Sequence, residues 1–272
     1  MAKIDEEALA EAYNRALALE KAGDIDAAVK AYQEVLAIDP DDHGGASVRI
    51  AALGRGEAPP KAPDAYVETL FDQHADAFED ILVEQLGYTV PMMVRQRLQA
   101  LNLGPFKRLL DLGCGTGLTG GALRDMVDDM TGIDISEKMV ELAHEKDHYE
   151  TLYVAELEDF LEDNDDEPFD LVTATDVLPY LGALEPLFFG AAENMVTGGI
   201  FVFSSETMPA DVMAGRPFMV GPHQRFVHAE TYVRERLTAT GFDLVEITDI
   251  NVRMQDGNPS PGHLVVAKKT AG

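Results

Sequence analysis

The amino-acid sequence predicts an α/β fold in which a mostly parallel sheet carries helices on both faces and a small helical region precedes it. From residue 106 onward, short apolar runs typical of buried strands alternate with helical patterns, which is the order of a parallel sheet. Near the C-terminus, residues 242–250 and 263–269 are strand patterns joined by a Gly- and Pro-rich loop, so we expect them to pair antiparallel. Residues 8–38 show only helical spacing.

The N-terminal region, residues 1–56, is predicted to be a helical hairpin. Small and apolar side chains recur at helical spacing over residues 8–21 and 26–38, with a short turn between them. Four residues stand where a tetratricopeptide repeat places its turn glycine, small residue, aromatic residue and terminal proline: Gly23, Ala28, Tyr32 and Pro40. The segment therefore resembles that repeat family. We expect either a structural cap on the main domain or a surface that binds a protein partner or a second copy.

Residues 57–65 are predicted to be a linker, because three prolines fall within EAPPKAP. Residues 66–103 then carry two helical patterns separated by Gly87 and Pro91. Apolar and aromatic side chains of the first pattern share one face, which is either ordinary core or a lid across an active-site mouth. Residues 104–272 form the predicted α/β domain.

Each strand of the α/β domain is predicted from its own apolar run. The runs are RLLDLG at 108–113, MTGIDI at 130–135, LYVAEL at 152–157, FDLVTAT at 169–175 and GGIFVFSSE at 198–206. Helical patterns lie between most of them, including 120–127 and 136–146. In such a sheet, ligands bind at the carboxyl ends of the strands, near the point where the strand order reverses.

A glycine-rich loop closes the first strand pattern and contains Gly113, Gly115 and Gly117. Without side chains, the backbone N–H groups there can approach a ligand at the start of the next helix. Asp111 precedes the loop, where a carboxylate repels a pyrophosphate and attracts a cationic amino-acid group. Asp134 ends the second strand pattern and suits hydrogen bonds from ribose hydroxyls. The embedded G-x-G-x-x-G leaves a dinucleotide as the alternative ligand.

Several motifs in order resemble one enzyme family. LLDLGCGTG, TGIDIS, FDLVTATDVLPYL and GGIFVFSSE are similar to the class I, seven-stranded, Rossmann-like S-adenosylmethionine-dependent methyltransferases, from roughly Phe106 to the end. Together with the N-terminal repeat, the whole chain resembles the bacterial methyltransferases that carry a tetratricopeptide repeat. The resemblance implies an enzyme with S-adenosylmethionine as cofactor and S-adenosylhomocysteine as product.

The resemblance also implies a role for each matching position. It assigns the methionine end of the cofactor to Asp111, Gly113, Cys114 and Gly115, with Gly117 completing the loop; the ribose and one adenine face to Asp134 and Ile135; and the adenine edge and rim to Glu156 and Leu157. Asp176, after the fourth strand, lies at the mouth shared by cofactor and acceptor. From the residues alone, Asp176 also suits a helix N-cap, and Cys114 suits a crowded turn.

Methyl transfer from a sulfonium is an in-line displacement with an activated leaving group, so alignment and exclusion of water matter more than catalytic side chains. Where a general base is needed, the candidates are Asp176, His228 and His74, and His223 is a further one. Three arginines, Arg216, Arg225 and Arg253, are either partners for an acceptor carboxylate or ordinary surface pairs.

A small molecule is the expected acceptor. DVLPY at 176–180 does not match the Asn/Asp-Pro-Pro-Tyr/Phe motif of methyltransferases that act on nucleobases or glutamine. A protein or carrier-protein acceptor recruited through the repeat is the first alternative. An NAD-type oxidoreductase and a non-catalytic scaffold that keeps the fold are the other two.

Composition limits the partners further. The formal charge is −28, from 49 acidic against 21 basic residues among 272, and it disfavours nucleic acid and anionic membranes. Cys114 is the only cysteine, which leaves no internal disulfide, and no metal site is predicted. The first thirty residues lack the pattern of a signal peptide, and no apolar run is long enough to span a bilayer. We therefore expect a cytoplasmic protein.

Overall fold

The computed structural model describes residues 5–271. Its N-terminal region contains α1 (Glu6–Lys21), α2 (Ile25–Ile38) and α3 (Ala46–Ala52). The side chains of Asp5 and Asp24 cap α1 and α2 by accepting backbone N–H groups of the first turn. Small residues on the facing sides of α1 and α2 let Tyr32 pack in the centre, fully buried. The predicted helical hairpin is therefore confirmed, with a third short helix after it.

This helical region lies directly on the rest of the chain. Val48 of α3 is buried against Val220 and Phe226. The proline-rich segment 57–63 also pairs with the α/β part. Ala62 N donates to Tyr180 O at 2.8 Å, and Pro60 O accepts the backbone N–H groups of Gly182 and Ala183, which follow Tyr180. We call residues 57–63 the strap, because they run across the α/β part rather than away from it.

Residues 64–100 are helical, but the first predicted pattern is not one helix. It consists of α4 (Asp64–His74), a 3₁₀ turn (Ala75–Ala77) and a π-helical segment (Asp80–Gln85), followed by α5 (Val90–Ala100). Residues 64–86 are called the lid below, because α4 and the π-helical segment cover one end of the sheet. None of the helices within residues 5–271 is both long and apolar enough to cross a bilayer.

The remaining chain builds the sheet. Its strands and those of a small hairpin are β1 (Phe106–Leu112), β2 (Val127–Asp134), β3 (Thr151–Val154), β4 (Phe169–Ala174), β5 (Met195–Glu206), β6 (Phe218–Val220), β7 (Phe226–His228), β8 (Phe242–Gln255) and β9 (Asn258–Lys269). The helices between them are α6 (Leu118–Leu123), α7 (Glu137–Glu145), α8 (Leu157–Asp163), α9 (Glu185–Glu193), α10 (Ala210–Met213) and α11 (Glu230–Ala239), with a 3₁₀ turn at Leu178–Tyr180.

The main sheet has seven strands in the order β3-β2-β1-β4-β5-β9-β8, and the first five run parallel. β9 lies antiparallel between β5 and β8, because a short hairpin reverses the chain without a crossover helix. Large apolar cores cover both faces of the sheet. The predicted fold class is confirmed, including the antiparallel strand near the C-terminus.

Several element boundaries differ from the sequence prediction, among them the start of β2 and the end of β3. β2 begins at Val127, three residues before the apolar run, because its backbone pairs with β1 from Phe106 onward. The preceding helix ends at Leu123, so residues 124–127 are not helical. β3 ends at Val154, and Glu156 caps α8 instead of extending the strand.

The strand order indicates at which end of the sheet a ligand can bind. The chain moves outward from β1 to β2 and β3, then returns to the other side of β1 with β4. The loops after β1 and β4 therefore separate from each other and leave a crevice at the carboxyl ends of these strands.

Candidate active site

A cavity occupies this crevice, and three parts of the chain enclose it. The strand ends contribute Gly113, Cys114, Gly115, Thr116, Asp134, Ile135, Glu156, Leu157, Thr175 and Asp176. The strap and lid contribute Lys61, Asp64, Phe71, Phe78 and Leu82, and the segments beside them add Tyr88, Pro91 and Tyr180. The structure thus brings together eight of the ten predicted cofactor positions; Asp111 and Gly117 do not line the cavity.

The glycines of the loop after β1 have different surroundings. Gly113 has φ +65°, and a Cβ there would come within 2.5 Å of Val177 Cγ2, so this turn is too tight for a side chain. Gly115 has φ +53°, and a Cβ there would meet only Phe78, at 3.9 Å. The backbone at Gly115 is therefore open toward the cavity. Gly117 is the N-cap of α6 and does not itself line the cavity.

Asp134 is fixed at the end of β2. Its Oδ2 accepts from Gly115 N at 2.8 Å, and its Oδ1 accepts from Ser136 N at 3.0 Å. Burial raises the pKa of this carboxyl to about 6, although the two backbone hydrogen bonds favour its charged form. A buried carboxylate oriented in this way can accept hydrogen bonds from two neighbouring hydroxyls, because each oxygen keeps a second lone pair.

Asp111 corrects the sequence interpretation, because its carboxylate does not face the cavity. Oδ1 accepts from the Thr173 hydroxyl at 2.7 Å, and Oδ2 accepts from the Tyr149 hydroxyl at 2.6 Å. The Tyr149 oxygen in turn accepts from Gly120 N at 3.1 Å. Asp111 therefore supports the glycine loop and α6 from below, and no direct attraction to a cationic ligand follows from its position.

The buried position of Asp111 predicts a pH-dependent stability. Burial raises its pKa from 3.8 in the unfolded chain to about 6, so the folded state favours the neutral form. The contribution of this group to the free energy of unfolding is fully present below about pH 4 and is lost as the pH rises through about 6. Asp111→Asn keeps a polar side chain without charge, and the two hydroxyls can rotate to suit it. We expect the variant to be more stable than the natural chain by about 3 kcal/mol at pH 8 and nearly equal at pH 4.

Urea unfolding of both proteins at the two pH values measures this difference. Asp128→Asn, at an exposed position of β2, is the matched control and should change stability little at either pH. A variant Asp111→Asn that is less stable at pH 8 would show that the hydroxyls require the charged carboxylate.

Cys114 lines the cavity, and its side chain is a protonated thiol rather than a nucleophilic thiolate. Burial, with the nearby charges of Asp134 and Asp111, raises its pKa well above the usual range. Its sulfur packs toward Gly132, where a Cβ would lie 3.1 Å from it. The small side chain therefore fits the crowded turn.

The rim of the cavity joins α8 to the strap. Oε2 of Glu156 accepts from Glu158 N at 2.7 Å and Asp159 N at 2.9 Å, which caps α8. Its Oε1 lies 3.3 Å from Lys61 Nζ, which also contacts Asp64 at 2.9 Å. Burial by itself would lower the pKa of Lys61, but the carboxylates beside it raise it. Lys61 is therefore a charged part of the cavity wall that sequence reasoning missed.

Asp176 is the polar residue at the end of β4. It is not the N-cap of a helix; its φ is +61°, a strained conformation for a residue with a side chain. Oδ1 accepts from Arg225 Nη2 at 2.6 Å, and Oδ2 accepts from Arg253 Nη1 at 2.9 Å. Both arginines also bind Glu206 Oε1, at 2.8 and 2.9 Å. We call Asp176, Glu206, Arg225 and Arg253 the charge cluster.

The predicted arginine partners for an acceptor do not line the cavity. Arg225 and Arg253 each pair with both carboxylates of the charge cluster. Arg216 donates to the carbonyls of Met213 and Val212 at the end of its own helix. An acceptor carboxylate therefore has no arginine to bind within the described cavity wall.

The candidate histidines are not at the cavity either. His228 is fully buried, and its Nε2 donates to Leu181 O at 2.8 Å and Gly182 O at 3.2 Å. Burial lowers its pKa to about 4, so it is neutral and structural. His74 lies at the exposed end of α4, where Nδ1 donates to Leu70 O. His223 lines a separate surface pocket with Asp256. Within residues 5–271, no group of three or more His, Cys, Asp or Glu side chains is arranged to hold a metal ion.

The lid closes the cavity with aromatic rings. The ring of Phe71 packs edge-on against those of Tyr180 and Phe78, with centroids 5.3 and 5.9 Å apart. Polar contacts attach the lid to the sheet: Ser136 Oγ donates to Asp72 Oδ1 at 2.6 Å, and Glu79 pairs with Lys146. The aromatic face of the first lid helix was visible in the sequence. Tyr88 was missed as a wall residue because no motif marked it, and Tyr180 entered the prediction only as the last residue of DVLPY.

Comparison with known proteins agrees with this geometry. A family model described as a methyltransferase domain matches residues 105–246, and a tetratricopeptide repeat model matches residues 11–42. A search of curated proteins finds no relative at the sequence level.

Solved structures share the fold. The N-methyltransferase NodS from Bradyrhizobium japonicum WM9, in complex with S-adenosylhomocysteine, is 20% identical with a TM-score of 0.51, over 66% of this chain and 86% of that one. The magnesium protoporphyrin IX methyltransferase from Synechocystis PCC 6803 with bound S-adenosylhomocysteine is 18% identical, with a TM-score of 0.50 over 82% and 93% of the two chains. A methyltransferase from Clostridium acetobutylicum ATCC 824 is 15% identical, with a TM-score of 0.54 over 73% and 99%.

The family match covers more than half of the chain and includes the glycine loop, Asp134 and Asp176. The chain therefore belongs to the methyltransferase-domain family, with a tetratricopeptide repeat in front of that domain.

Proposed function

We propose that this chain transfers a methyl group from S-adenosylmethionine to a small molecule. The observation that carries the proposal is the carboxylate of Asp134, held by Gly115 N and Ser136 N at the wall that the open glycine loop also forms. A nucleoside with a free ribose diol fits this carboxylate, and the loop beside it leaves space at Gly115 for the tail of such a ligand.

The other residues of the wall fit the cofactor as well. Ile135 and Leu157 offer apolar surface for an adenine ring, and Glu156 stands at the rim beside them. Gly113, Cys114 and Gly115 would hold the methionine end, with Asp111 acting from behind the loop. The cofactor, when bound, supplies an activated methyl group on a sulfonium.

The chain's own contribution is binding, orientation and exclusion of water. Phe71, Phe78 and Tyr180 cover the cavity, so an acceptor beneath them is shielded from solvent. Asp176 is held rigidly by two guanidinium groups and can orient a polar group of the acceptor. Such alignment favours the reaction of a small acceptor that the lid encloses.

The enclosure also supports a small acceptor over a protein one. The strap and lid narrow the cavity, and α3 of the repeat is buried against β6 and β7. We propose that the repeat acts as a structural cap on the methyltransferase domain. The same proposal includes a cytoplasmic location, on the basis of the single cysteine, and partners other than nucleic acid, on the basis of the charge of −28.

Calorimetric titration of the purified protein with S-adenosylmethionine, S-adenosylhomocysteine and NADH tests the cofactor. We expect binding of the first two ligands and none of NADH. Binding of NADH alone would replace the proposal with an oxidoreductase. Binding of none of the three would favour a scaffold that has kept only the fold.

Lys61 provides a test that links the strap to the cofactor. Its ammonium lies among Asp64, Glu156 and Glu158, so Lys61→Met would leave three carboxylates facing one another at the rim. We expect this variant to bind S-adenosylhomocysteine about fivefold more weakly, equivalent to about 1 kcal/mol, and Lys61→Arg to restore most of the affinity.

The matched control for this test is Lys107→Met, an exposed lysine on β1, which should leave the affinity unchanged. An unaltered affinity in Lys61→Met would place the adenine end of the cofactor away from the strap.

A further inference from the structure

The wall of the cavity beyond the cofactor positions is aromatic. Phe71, Phe78, Tyr88 and Tyr180 line it together with Leu82 and Pro91. The ring of Phe71 packs edge-on against those of Phe78 and Tyr180, and all three residues line the enclosed space. This surface suits a flat, apolar acceptor body.

The charged groups of the wall are mainly negative. Four carboxylates line the cavity, on Asp64, Asp134, Glu156 and Asp176, against the single ammonium of Lys61. Lys61 is already paired with Asp64 and Glu156 at the rim. In a buried site, such a wall favours a reacting group that becomes positive and disfavours one that is negative.

Asp176 lies close in sequence to Tyr180, which is one of the aromatic residues of the cavity wall. Arg225 Nη1 donates to the Tyr180 hydroxyl at 3.0 Å, and Nη2 of the same residue binds Asp176. The charge cluster therefore fixes the carboxylate and one aromatic ring relative to each other. It also holds Asp176 at φ +61°, and each carboxylate oxygen retains a lone pair for a donor in the cavity.

On the basis of the proposed function, we infer that the acceptor is a primary or secondary amine on a flat apolar body, with its N–H directed at Asp176. The reacting form is the neutral amine, so an ammonium acceptor first loses a proton to water before the closed lid excludes solvent. The amine lone pair then forms the new N–C bond to the methyl carbon while the C–S bond breaks and its electron pair stays on sulfur. The nitrogen becomes a methylammonium, which the carboxylate and the aromatic rings stabilise. Proton loss to water requires no histidine, which agrees with the positions of His74, His223 and His228 outside the cavity wall.

Three probes of similar shape and different charge test the inference: naphthylmethylamine, naphthoate and naphthol. Each is titrated into the full-length protein saturated with S-adenosylhomocysteine. We expect the amine to bind at least about tenfold more tightly than naphthoate. With S-adenosylmethionine in place of the product, mass spectrometry should show one added methyl group on the amine alone.

A second readout assigns the preference to Asp176. In Asp176→Asn we expect the amine affinity to fall about tenfold, more than the affinity for S-adenosylhomocysteine falls. Asp211→Asn, at an exposed position on α10, is the matched control and should keep both affinities. If Asp176→Asn does not fold, Phe71→Leu tests the aromatic part of the inference: amine binding should weaken, while Asp134 and the glycine loop keep the affinity for S-adenosylhomocysteine.

The outcomes separate the two proposals. No binding of S-adenosylhomocysteine would overturn the proposed function itself. Normal binding of that product together with tighter binding or methylation of naphthoate or naphthol would overturn only the amine assignment. The same conclusion would follow if none of the three probes bound to the product-saturated protein.

Discussion

Replacing Asp134 with Ala is expected to weaken the binding of S-adenosylhomocysteine by about a hundredfold. The substitution removes the charged acceptor for two ribose hydroxyls, and hydrogen bonds to a charged group contribute about 1.5–3 kcal/mol each. It also releases Gly115 N and Ser136 N, so the glycine loop loses one of its contacts with β2 and keeps the bond from Cys114 N to Ile133 O. Asp134→Asn keeps one oxygen and should have an intermediate affinity.

Calorimetry measures these affinities, and thermal unfolding shows whether each variant remains folded. Asp128→Ala lies on the same strand with an exposed side chain and serves as the control. An Asp134→Ala variant that is folded and binds S-adenosylhomocysteine normally would be incompatible with a nucleoside at the end of β2.

The second large effect is expected from the charge cluster. Arg225→Met would leave the carboxylates of Asp176 and Glu206 with only Arg253 between them. The side chains of Arg225 and Glu206 are only 11% and 7% exposed, so the carboxylate left behind is mostly shielded from water. Breaking a buried ion pair by removing one partner destabilises a protein by about 3–5 kcal/mol, and we expect a loss of that size.

Urea unfolding at neutral pH measures the loss in Arg225→Met. Arg234→Met, which breaks an exposed pair with Glu230, is the control and should cost less than about 1 kcal/mol. An Arg225→Met variant as stable as the control would mean that the cluster is well solvated, and Asp176 would then lack a fixed orientation.

Local patterns made the fold and the cofactor loop predictable. A strand followed by Gly113, Gly115 and Gly117 requires a tight turn wherever it occurs, and the apolar run ending at Asp134 places that carboxylate at a strand end. The antiparallel hairpin of β8 and β9 followed from the connection being too short for a crossover. These features depend on residues close together in the sequence.

The rest of the site depends on contacts between distant segments. Arg225 and Arg253 meet Asp176 across 49 and 77 residues of chain, so no local pattern distinguishes them from surface arginines. Asp111 and His228 are polar residues in plausible positions, but tertiary packing turns their side chains into the core. Their direction is decided by Tyr149 and Thr173 in one case and by the carbonyls of Leu181 and Gly182 in the other.

The proline-rich strap shows the same limit. Its composition is typical of a linker, yet its backbone pairs with the loop after the turn at Leu178–Tyr180, and Lys61 contacts Glu156. Composition describes the stiffness of such a segment and carries no information about the surface on which it lies.

A crystal structure of the protein bound to S-adenosylhomocysteine is the most direct test of the proposed site. We expect both ribose hydroxyl oxygens to lie within about 3 Å of the Asp134 carboxylate oxygens, as hydrogen bonds require. We also expect the adenine ring to lie between Ile135 and Leu157. A nucleoside bound elsewhere, with Asp134 contacting only Gly115 and Ser136, would contradict the assignment of this cavity as the cofactor site.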